Sequence, residues 1–121
     1  FKAAWSGAGS ANALGMYGLD MYIRETEIEL GKPWRSPEAY MKVSDPFFHA
    51  DRIHTPTQFL CAALDNNVPC AGAEQMYQAL RSLGVPTRLI VYPDEHHDVS
   101  IPSHVGHRLQ AYTEWFDRYL K

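Results

Sequence analysis

With 121 residues, 45% of them hydrophobic and 21% charged, the chain can build one modest core and one domain. Its formal net charge of −3 gives no electrostatic reason to expect nucleic acid or an anionic membrane as partner. No apolar run approaches the roughly 20 residues that cross a bilayer. The chain opens at Phe1, inside strand-like sequence, so it reads as an excerpt.

In chain order, "FKAAWSGAG" predicts a strand over residues 1–5 that runs into a Gly/Ser turn. "SANALGMYG" and "DMYIRETEIELG" predict short helices, the second with Asp20 as N-cap and Gly31 as its stop. The acidic run from Glu25 to Glu29 predicts a solvated helix face. "KPWRSPEAYMKVSDPFFHADRIHTP" is a connector with one or two helical turns, where Ser36 can cap and Pro37 suits the first helical position. His49 and His54 in that connector read as surface or packing residues.

The second half carries stronger periodicity. "TPTQFLCAAL" is a continuous apolar run, the pattern of a strand buried on both faces of a parallel sheet. After the polar loop "DNNVPCAG", Met76, Tyr77, Leu80 and Leu83 recur at helical spacing, with Gly84 as the stop. "VPTRLIVYP" predicts another strand. Val105, Leu109, Tyr112, Phe116 and Tyr119 then predict the apolar stripe of a final helix, with Trp115 also in the core. Strand, helix, strand, helix implies a parallel sheet with right-handed crossovers. Cys61 and Cys70 match no CxxC or zinc-ribbon spacing, and Cys61 is expected to be a buried free thiol, a disulfide being possible but unsupported by spacing.

Functional groups of an open parallel sheet gather in loops beyond the carboxyl ends of its strands. Two such loops hold Asp65 and His97. If the strands are neighbours, Asp65 can fix the tautomer of His97 and leave its other nitrogen free to accept a proton from a nucleophile. An Asp after a strand can equally be a turn or cap residue. A metal reading competes for the same stretch, "VYPDEHHDVSIPSH". It would use His104, His107 and His96 with Asp94, Glu95 or Asp98, yet no HExxH-like signature supports it.

The whole segment from "IHTPTQFLCAALDNNVP" through "LIVYPDEHHDV" to "EWFDRYLK" resembles the C-terminal end of a prolyl oligopeptidase-family serine peptidase, of the acylaminoacyl-peptidase and dipeptidyl-aminopeptidase-like kind. "FKAAWSGAGSANALGMYG" and "GKPWRSPEAYMKVSDPFFHADRI" extend the resemblance over essentially the whole chain. The resemblance implies an α/β-hydrolase catalytic domain, usually preceded by a β-propeller, with a triad in the order Ser, Asp, His. The Asp falls on Asp65 in "LDNNVP" and the His on His97 rather than His96. Residues 1–121 are then the C-terminal segment of that domain, about three parallel strands flanked by helices. The chain departs from the family pattern at Ala62, Ala63 and Leu64 before the Asp and at Asp98 after the His, which could alter loop geometry.

No G-x-S-x-G elbow occurs in the chain, and "SGAGS" at residues 6–10 lacks the required flanking glycines. The family's elbow lies upstream of the segment corresponding to Phe1. The expectation is therefore a peptidase that hydrolyses short peptides, needs no metal or organic cofactor, and takes only Asp65 and His97 from this chain. The chain alone would be inactive. A carboxylesterase of the same fold and a non-catalytic assembly module are the alternatives. The strand holding Phe1, Ala3, Ala4 and Trp5 would lack one neighbour, so its free edge predicts self-association.

Overall fold

The computed structural model describes residues 1–121. Three parallel strands form an open sheet in chain order: β1 (Ala4–Gly7), β2 (Thr57–Ala62) and β3 (Thr87–Tyr92). Between β1 and β2 lie four short helices, α1 (Ala13–Met16), α2 (Ile23–Leu30), α3 (Pro37–Val43) and α4 (Asp45–Phe48), and a 3-10 turn at Ala50–Arg52. Helix α5 (Ala71–Ser82) links β2 to β3, and α6 (Pro102–Leu120) closes the chain. The expected parallel α/β arrangement is therefore present.

The middle strand is buried along its whole length, as its unbroken apolar run requires. Its side chains alternate between two cores. On one face Phe59 and Cys61 meet Ala73, Met76 and Leu80 of α5, with Ala50 below. On the other, Leu60 meets Ile90 and Tyr92 of β3, Val99 and Ala111 of α6. The pairings Thr57↔Thr87 through Ala62↔Tyr92 bring the ends of β2 and β3 out level with each other. This register decides where the two functional loops emerge.

Local readings needed correction in several places. β1 begins at Ala4, not Phe1, and extends to Gly7. The Ala4 N–H bonds to Pro56 O, and Pro56, lacking an N–H, offers no donor to carry the ladder further back. Asp20 is not the N-cap of α2. Its carboxylate accepts the Tyr22 N–H at 2.8 Å in a turn before the helix, and Tyr22 holds the cap position. Ser36 holds its cap position without a side-chain bond, whereas Pro37 does sit in the first turn of α3. Gly31 and Gly84 end their helices at φ 79° and 72°, where glycine alone is unstrained.

On α6 Trp115 is buried as expected, but Ala111 joins it in the core and Leu109, expected on the stripe, is 59% exposed. Leu83, expected on the α5 stripe, is also largely exposed. The cysteines are not free. Cys61 and Cys70 form a disulfide, because the loop between them brings the start of α5 back beside β2 at a Cα separation of 5.2 Å.

Candidate active site

Asp65 lies just beyond the end of β2 and His97 just beyond the end of β3. Backbone bonds tie these two loops together: Ala63 N–H to Tyr92 O and Leu64 N–H to Glu95 O, both 2.9 Å. Asp65 is 4% exposed. Its Oδ1 accepts the backbone N–H groups of Asn67 and Val68 at 2.8 and 2.9 Å. Its Oδ2 stands 2.9 Å from His97 Nδ1. A carboxylate accepts, so Nδ1 carries the proton and Nε2 keeps its lone pair. The His97 side chain is 44% exposed, so that lone pair belongs to a ring open to solvent on one side.

Both alternatives for Asp65 are therefore realised in one carboxylate, since one oxygen makes the turn and the other orients the imidazole. The departures at Ala62, Ala63, Leu64 and Asp98 leave the pair in contact. His96 points elsewhere: its Nδ1 donates to Leu64 O at 3.0 Å. Adjacent in sequence, the two histidines are distinguished by what accepts their protons.

A cleft of about 180 Å³ opens over the pair, lined by Met21, Asp65, Asn66, Asn67, His96 and His97. Met21 N–H bonds to Asn66 O, and the Tyr22 hydroxyl to Asn67 Oδ1 at 2.8 Å, so the α1–α2 connector forms one wall. A larger groove of about 560 Å³ lies along α5 between Phe47 and Ser82. It contains neither Asp65 nor His97, and size alone does not make it the reactive cleft.

Glu95 was the main residue that sequence reasoning did not single out as structural. It is 2% exposed, and its carboxylate accepts the N–H groups of Ser100 and Ile101 at 3.0 and 2.8 Å. It also accepts His104 Nδ1–H at 2.9 Å. Burial pushes its acidity the wrong way, but these donors outweigh it and hold its carboxyl below the ordinary glutamate range. His104 is correspondingly not a plain surface residue, whereas His107 is exposed as expected of a helix-surface histidine. His104 serves Glu95, and His107 Nδ1 lies 2.8 Å from the hydroxyl of buried Tyr92, whose acidity burial weakens. No three of the His, Cys, Asp and Glu side chains converge as metal ligands would. The acidic run of α2 is likewise only partly solvated, because Glu27 accepts the Tyr17 hydroxyl at 2.6 Å. That bond raises the Tyr17 pKa to about 12.

An open parallel sheet with a buried carboxylate orienting an imidazole beyond adjacent strand ends has the architecture of the α/β-hydrolase class. The chain belongs to the prolyl oligopeptidase family, whose model matches residues 1–121. Dipeptidyl-peptidase 5 of Porphyromonas endodontalis is 27% identical over 117 residues, covering 88% of this chain and 17% of that protein. The acylamino-acid-releasing enzyme of Arabidopsis thaliana is 30% identical over 76 residues, covering 63% of this chain and 10% of that enzyme. The uncomplexed acylaminoacyl peptidase of Pyrococcus horikoshii superposes with a TM-score of 0.89 at 26% identity. The match covers 100% of this chain and 20% of that one. This chain thus spans a fifth or less of the proteins it resembles here.

Proposed function

We propose that this chain supplies the acid–base half of a serine peptidase that hydrolyses short peptides. His97 is the general acid and base, Asp65 orients it, and the nucleophile is a serine in a G-x-S-x-G elbow outside these 121 residues. The observation that carries this reading is the 2.9 Å bond from His97 Nδ1 to a buried Asp65 already held by two backbone N–H groups. A fixed carboxylate stabilises the imidazolium that forms when Nε2 takes the serine proton. The same Nε2–H then protonates the departing amine, and a water repeats the cycle to release the acyl group. Peptide substrates are inferred from family membership, and one solved relative, an acylaminoacyl peptidase, was captured with Z-Gly-Gly-Phe-chloromethyl ketone. We also propose, from the free edge of β1, that the chain in isolation self-associates.

Steady-state hydrolysis of aminoacyl and short-peptide substrates by the full-length protein tests the assignment. Asp65→Asn should lower kcat on the order of 10⁴-fold, with His97→Ala at least as severe. His96→Ala should retain activity within a few-fold. Equal losses at His96 and His97 would mean that the contact with Asp65 does not single out His97.

A further inference from the structure

We propose that Glu95, with His104 behind it, is a positioning residue for His97: the buried carboxylate closes the loop that carries His97 and sets the angle at which the imidazole meets Asp65. The inference rests on His97 being the acid–base group.

His97 has little to hold it besides Asp65, for its ring is 44% exposed. What fixes it must act through the backbone on either side. Upstream, Glu95 O accepts the Leu64 N–H, which joins the His97 loop to the residue before Asp65. Downstream, the Glu95 side chain reaches across to the N–H groups of Ser100 and Ile101, turning residues 95–100 into a closed ring. Within that ring Val99 is 7% exposed and packs with Leu60, Ile90, Tyr92 and Ala111. His97 therefore sits between two buried anchors two residues to either side of it. His104 supplies a further bond to Glu95 from the first turn of α6, and its ring lies tilted against Tyr92 at 5.0 Å between centroids. The ring consequently moves with β3 and α6, not with solvent.

The arrangement makes Glu95 the junction of three elements that the chemistry needs in register: the Asp65 loop, the His97 loop and α6. Removing its charge weakens two backbone bonds at once and leaves His104 without an anionic partner. A shift of about 1 Å at a catalytic group can cost about a hundredfold in rate. A residue that merely caps α6 would change thermal stability and leave turnover alone at temperatures well below unfolding.

The test uses the full-length protein and an aminoacyl p-nitroanilide. Glu95→Gln should lower kcat roughly 10- to 100-fold with KM within about threefold, at a temperature where circular dichroism shows it folded. The downfield proton resonance that the His97 Nδ1–H to Asp65 bond is expected to give in the unaltered protein should broaden or vanish. A kcat within twofold together with an unchanged Nδ1–H resonance would overturn the proposal. Should Glu95→Gln fail to fold, His104→Gln leaves both backbone bonds in place. A severalfold lower kcat with an altered Nδ1–H signal then supports the proposal, and an unchanged pair of readings refutes it. His97→Ala in the same assay separates the two readings. If it stays active the acid–base assignment fails, while the resonance in Glu95→Gln still reports whether Glu95 positions the ring.

Discussion

Asp65, Glu95 and His97 show how much a single side chain can disclose before its neighbours are known. Asp65 and the His96–His97 pair were legible because each follows a strand-like run and parallel neighbours bring such loops together, while the choice of His97 over His96 came from the family resemblance. Their contact is therefore a consequence of topology. Glu95 was not legible as an anchor, because two of its four donors are backbone N–H groups that carry no residue-type signal. His104, the closer of the two side-chain donors, resembled a helix-surface histidine. The pH consequence belongs to this residue. Because the folded Glu95 carboxyl is held below its ordinary value of 4.5, it stabilises the fold fully above that pH. That contribution disappears as pH falls through the lowered value. Urea titrations from pH 6 to pH 3 should show the unaltered chain losing its advantage over Glu95→Gln on acidification. A difference that stays constant over that range would refute the linkage.

At the level of elements, β2, α5, β3 and α6 were readable, since each is long enough to display its period. Between β1 and β2 the short helices were readable but their ends were not, because helices of four to eight residues show barely two turns. Their ends are set by tertiary partners such as Ser44 Oγ, which accepts the Ala13 N–H at 2.9 Å. Helix α6 shows the limit of periodicity: Trp115 packs inward as read, but packing chose Ala111 over Leu109. Close approach also explains Gly72, where a Cβ would come within 2.9 Å of Gly9 O, seating α5 on the turn after β1. The Cys61–Cys70 bond had no signal in spacing, yet the loop it closes contains Asp65. Cys70→Ser should therefore lower unfolding stability by roughly 2 kcal/mol and loosen the Asp65 turn. Reducing agent should reproduce the loss in the unaltered chain. A stability unchanged by either treatment would show that the bond contributes nothing.

For the molecule as a whole, the sheet ends at β1 on one side and β3 on the other. Trp5 is partly covered, stacked on Tyr112 at 3.6 Å, but the outer backbone of β1 has no strand beside it. Residues on α2 and its flanks, including Met21, Ile23 and Ile28, add exposed apolar surface on the first half of the chain. No helix is long and apolar enough to cross a membrane. The isolated chain is thus expected to sediment as a dimer or larger species at micromolar concentration. A stable monomer with β1 solvent-exposed would contradict this. The same chain should hydrolyse no peptide or ester above background, since it holds only the proposed acid–base pair and no G-x-S-x-G elbow.

The claim that His97 serves a serine is tested most directly by covalent labelling of the full-length protein with a fluorophosphonate, followed by mapping of the modified residue. The account predicts a single labelled serine within a G-x-S-x-G sequence. Labelling should be at least a hundredfold slower in His97→Ala and unchanged within a few-fold in His96→Ala, on the scale set by loss of the base. Equal labelling rates in the two histidine variants, or a label on any residue outside such an elbow, would contradict it.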